Sequence, residues 1–149
     1  MEYGFDYIDG VEVPQMVVKN DFAIQGSHSG TVHVENGTLT IYGELHGTLD
    51  VQRAASVIII GKQHGTVSVK NNAKVTVIGE LHGTTNVESL GTIVVEETGK
   101  LAGTLCNNGI VIVRGVFGGA QSGNGDLILE GNGYIKQPTI KNGMNYFEW

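Results

Sequence analysis

The sequence predicts an all-β, single-domain parallel β-helix of six to seven triangular coils, each of 16–20 residues. Three observations carry that prediction. Glycine pairs four residues apart recur in phase at Gly26/Gly30, Gly43/Gly47, Gly61/Gly65, Gly79/Gly83, Gly99/Gly103 and Gly115/Gly119. A lone Gly131 continues the first column, whose intervals are 17, 18, 18, 20, 16 and 16 residues. Apolar residues alternate with polar ones between the glycines, which is the two-residue period of strands. Finally, 149 residues with 40% hydrophobic content and 23 glycines can fill one core, and the glycines follow no three-residue collagen period.

Each element then follows in order. Residues 1–25 lie outside the repeat and read as an N-terminal cap, because solenoid ends need atypical covering segments. From residue 26 to 131, a first strand follows each glycine pair, as in Thr31–Val34, Thr48–Val51 and Thr66–Val69. A second apolar pair precedes the next glycine: Leu39/Ile41, Val57/Ile59, Val75/Val77, Ile93/Val95, Val111/Val113 and Leu127/Leu129. Between these strands sits a small residue (Gly37, Ala55, Ala73, Gly91, Gly109 or Gly125), as a tight corner requires. Stacked coils at about 4.8 Å then give a rod core on the order of 30 Å long. Like residues are expected to lie over like residues down each column. Glu96–Thr98 lengthen one coil and the next shortens. Residues 132–149 read as a C-terminal cap over the coil of Leu127 and Leu129.

Composition narrows the function. Fifteen acidic against nine basic residues argue against non-specific nucleic-acid binding. No apolar run approaches the roughly 20 residues that span a bilayer. The start MEYGFDYIDG lacks a signal-peptide pattern, so a soluble, cytoplasmic chain is expected. A single cysteine, Cys106, makes neither an internal disulfide nor a thiolate metal site, and reads as a small core or corner residue. No phosphate loop, dinucleotide fingerprint or serine elbow appears. The expectation is a protein without catalytic residues or cofactor.

A six-residue apolar rhythm from Leu45 to Ile93 resembles the left-handed hexapeptide acyltransferases, but their glycine after the apolar residue is replaced by residues such as His46, Gln52 and Ile58. Paired glycines, alternating valines and about 18 residues per coil from Gly26 to about Gly131 resemble instead the bactofilin domain. That resemblance implies a right-handed triangular β-helix and a bacterial cytoskeletal scaffold that polymerises end to end.

Two sets of residues are candidates for a site. His46, His64 and His82 share one place in consecutive coils, outward-facing by alternation, whereas His28 falls one position earlier. Such a column suits a transition metal or joint titration near pH 6, but equally a surface ladder made by repeat duplication. No carboxylate or cysteine completes a zinc-like set, so no metal is favoured. Gln63 takes an inward place held elsewhere by Leu45 and Leu81, so its amide must find backbone partners. The ends supply the second set. Glu2, Asp6, Asp9 and Glu12 make residues 1–25 acidic, and Tyr146, Phe147 and Trp149 cluster at the other end. Acidic groups favour a basic protein partner, and aromatic residues are frequent binding anchors. The expected activity is therefore binding of another protein, as a toxin-neutralising immunity protein does. Self-assembly of the bactofilin kind is the alternative.

Overall fold

The alternation of β-branched and polar residues resolves into three short strands per coil, all stacked parallel. The computed structural model describes residues 5–8, 11–14, 16–135, 139–141 and 144–146, with side chains over 16–135. The strands make a rod with three sides. Along the first side run Ser27–Ser29, Glu44–His46 and the opening halves of Lys62–Val69, Glu80–Val87 and Lys100–Asn107. The second side carries Met16–Val18, Val32–Val34, Leu49–Val51 and the closing halves of those longer strands. A 7-stranded sheet forms the third side, from Phe22–Ile24 through Thr38–Ile41, Ser56–Ile59, Lys74–Val77, Thr92–Val95 and Ile110–Val113 to Asp126–Leu129. No helix occurs among the described residues. Two pairs stand outside this parallel order: Phe5–Ile8 with Val11–Pro14, and Thr139–Lys141 with Met144–Tyr146, both antiparallel.

Register is strict, and it stacks like on like. Val34, Val51, Val69 and Val87 form one inward column, and Ile41, Ile59, Val77, Val95 and Val113 another, all buried. Each such side chain contributes roughly 1.5–3 kcal/mol by leaving water. Three polar residues, Gln63, Thr85 and Asn107, interrupt the core. Gln63 is buried, its Nε2 donating to the Gly47 carbonyl at 2.9 Å, while its Oε1 has no partner. Asn107 takes the place of a valine. Its Nδ2 donates to the Asp126 carbonyl at 2.8 Å and its Oδ1 accepts from Gly109 N at 3.0 Å, so it braces a corner two residues shorter than those before it.

The glycines work by two mechanisms. At the second glycine of each pair the backbone turns from first to second side through positive φ, 125° at Gly65 and 116° at Gly83, and a Cβ at Gly83 would fall on the Gly65 carbonyl oxygen. The first column is closed by approach alone: a Cβ at Gly61 would strike the Gly43 carbonyl. Gly133, rather than Gly131, continues that column, since Tyr134 pairs with Val116 and its amide bonds Gly115 O at 3.0 Å. Gly131 and Asn132 are a two-residue insertion at the corner where Glu97 and Thr98 lengthen an earlier coil. Gly131 turns there with φ of 59°. At the corner leading to the third side Gly37 and Gly123 turn through positive φ in two coils, whereas in three others the left-handed residues are Ala54, Asn72 and Leu90, with φ of 65°, 63° and 66°. The small residue that follows each of them, Ala55, Ala73 or Gly91, is the buried one.

Candidate functional site: the outer surfaces of the rod

Inward positions are fixed by packing, so the outward columns are where side chains are free to differ from side to side. On the first side those columns are Glu44, Lys62, Glu80, Lys100 and, two residues on, His46, His64, His82, Ala102. The three imidazoles stack nearly parallel, with centroids 4.9 Å apart for His46–His64 and 5.3 Å for His64–His82. They face outward as alternation predicts, and His28 pairs with Leu45, one position before the ladder. His46 Nε2 lies 3.3 Å from Glu44, His82 Nε2 lies 3.5 Å from Glu80, and Lys62 Nζ reaches Glu80 at 3.4 Å. His64 has Lys62 rather than a carboxylate two residues before it. Burial first, then the His82 and His46 charges, hold its pKa below the ordinary 6.5, with Lys62 adding to this and Glu44 opposing. Burial raises the Glu80 pKa, but bonds and charge from Lys62 and His82 outweigh it, so the net shift is downward.

Zinc–nitrogen bonds of about 2.0–2.1 Å put two donors on one ion roughly 3.4 Å apart, closer than these stacked rings. No group of three or more histidine, cysteine or acidic side chains among the described residues is placed to hold a metal ion.

The second side is polar. Asp50, Ser68, Asn86, Cys106 and Ser122 form its middle outward column. Cys106 thus sits on the outside of a strand, partly buried, rather than in the core. At the N-terminal coils Asp50 accepts bonds from His33 Nδ1 at 2.9 Å and from Gln52.

The third side differs. One outward column reads Ala23, Thr40, Ile58, Thr76, Val94, Ile112, Ile128; the other reads Thr38, Ser56, Lys74, Thr92, Ile110, Asp126. Ile110 is 39% and Ile128 42% exposed, and the adjoining corner adds exposed Tyr42, Ile60 and Ile78. Further along that corner the residues become charged: Arg114 bonds Glu130 at 2.9 Å and Glu96 at 2.8 Å, and the bond to Glu130 first, then the Glu96 charge, raise its pKa. Sequence reasoning missed this surface. The available signal was strands such as Ile110–Val113, apolar at both parities where a water-facing strand should alternate.

Of the terminal candidates, Glu2, Asp9, Phe147 and Trp149 lie outside the described residues. Asp6, Glu12 and Tyr146 fall in the antiparallel pairs, where the backbone alone is described. At the last coil Leu129 is 49% and Ile135 37% exposed, although both continue inward columns.

These features define the chain as a parallel β-solenoid repeat protein. Comparison with protein-family models, curated proteins and solved structures finds no match. No helix among the described residues is long and apolar enough to cross a membrane.

Proposed function

We propose that the chain is a non-catalytic protein-interaction module, a rigid rod that engages a protein partner through its third side. The observation that carries this reading is the outward apolar strip of Ile110, Ile112 and Ile128, with Ile110 and Ile128 exposed and Ile112 half-buried, on a sheet whose inward columns already supply the core. Contiguous exposed apolar surface is uncommon on isolated proteins and marks contact surfaces. A net charge of −6 favours a partner of basic character. A discrete binder such as a toxin-neutralising immunity protein fits that description. A photocrosslinking residue at Ile112, with a matched probe at Ser68 on the second side, tests it in the producing cell. The reading expects an identified protein captured at 112 and not at 68. No capture at 112, or equal capture at both, overturns it.

One observation favours a second reading. The exposed Leu129 and Ile135 leave an apolar coil end, which would suit end-to-end assembly of the bactofilin kind. That reading expects filaments of the intact chain by electron microscopy, abolished by Leu129→Lys.

A further inference from the structure

The charges on the third side suggest one particular occupant. From Thr38 onward its two outward columns carry two charges, Lys74 and Asp126, and both are exposed. Neither side chain makes an ion pair within the chain among the described residues. They stand three coils apart, about 14 Å, with the most apolar stretch between them. A partner seated on this strip must therefore offer an apolar centre with an acid at one edge and a base at the other.

We propose that a second copy of this chain is that partner, packed face to face and antiparallel about a two-fold axis that runs along the strands between Thr92–Val95 and Ile110–Val113. This rests on the reading of the third side as an interaction surface. Rotation about that axis keeps each column opposite itself and reverses the order of coils. Lys74 of one protomer then meets Asp126 of its partner, Val94 meets Ile112, and Thr92 meets Ile110. On the neighbouring corner Glu96 meets Arg114. Every contact is made twice, as an isologous interface requires. Sliding one copy by a single coil places Glu96 against Glu96, or Arg114 against Arg114, and leaves Lys74 and Asp126 apart, so the charges select one register. The paired region spans four coils, about 19 Å, by five residues, about 17 Å. That is small for an interface, so the dimer is of the weak, transient class.

Sedimentation equilibrium of the full chain between about 10 µM and about 1 mM tests this. The wild type is expected to pass from monomer to dimer with no larger species. Lys74→Glu and Asp126→Lys should each weaken the dimer about tenfold, since each reversal acts twice. The double variant should return to within about threefold of wild type. Its two sites are too far apart within one chain for that recovery to be intramolecular, and both are exposed, so folding is spared. A wild type that stays monomeric, growth beyond the dimer, or a double variant weaker than both singles overturns the inference. If the wild type is monomeric while a probe at Ile112 still captures a different protein, the dimer fails and the interaction reading stands.

Discussion

The second and third sides of the rod share one construction and differ in what they show to water. Inward, both stack valine, leucine and isoleucine in columns that are almost fully buried. Outward, the second side shows Asp50, Ser68, Asn86 and Cys106, whereas the third shows Ile58, Ile110, Ile112 and Ile128. Folding therefore determines one parity of each strand and leaves the other free. The polar choice keeps a side solvated, and the apolar choice, unnecessary for the core, is where binding is expected.

The comparison breaks first if the two parities are not energetically distinct. Val69→Asp puts a carboxylate among buried side chains with no cation facing it, and should cost more than about 4 kcal/mol, enough to unfold the chain. Ser68→Asp, one residue away and outward, should change stability by less than about 0.5 kcal/mol. Thermal melts of the pair check this, and equal melting temperatures would show the register to be wrong. A smaller effect is expected at the corners. Gly83→Ala must adopt a left-handed φ and displace the Gly65 carbonyl, at a cost of about 2–4 kcal/mol, whereas Gly26→Ala meets nothing within 4 Å and should be nearly neutral. Denaturant titration of the two variants separates them.

The first side sharpens the contrast, because its outward columns respond to pH. Folding depresses the His64 pKa, so the unfolded chain binds more protons and stability falls as pH drops below about 6.5. Glu80, also depressed, contributes stability above its ordinary 4.5 that is lost as pH falls through its lower folded value. His64→Gln should flatten the upper of these two slopes and leave the lower one. An unchanged slope near pH 6 would remove the ladder as its source.

Most of the architecture was legible in the sequence, and the reason is mechanical. A coil that must return over itself admits little beyond glycine where chains touch, so Gly47, Gly65 and Gly83 announce the period. The histidine ladder followed from that register, including the offset of His28. Legibility failed where structure substitutes for composition. Ala54, Asn72 and Leu90 turn left-handed without a glycine to signal it. Gly131 imitates the repeat glycine although it belongs to a corner insertion, and Gly133 holds the true place. Asn107 carried no signal in the sequence, yet its two hydrogen bonds to backbone brace the shortened corner. The third side was hidden because Ile110–Val113 reads equally well as a buried strand: hydrophobicity records that a side chain avoids water, not whether its cover comes from this chain or another.

Methyl NMR of the intact chain at low and high concentration tests the central claim most directly. The account predicts concentration-dependent shifts at Val94, Ile112 and Ile128 of the third side, with the methyls of Thr66 and Thr84, beside the second side, unmoved. Shifts confined to Thr66 and Thr84, or none at Ile112, would contradict it.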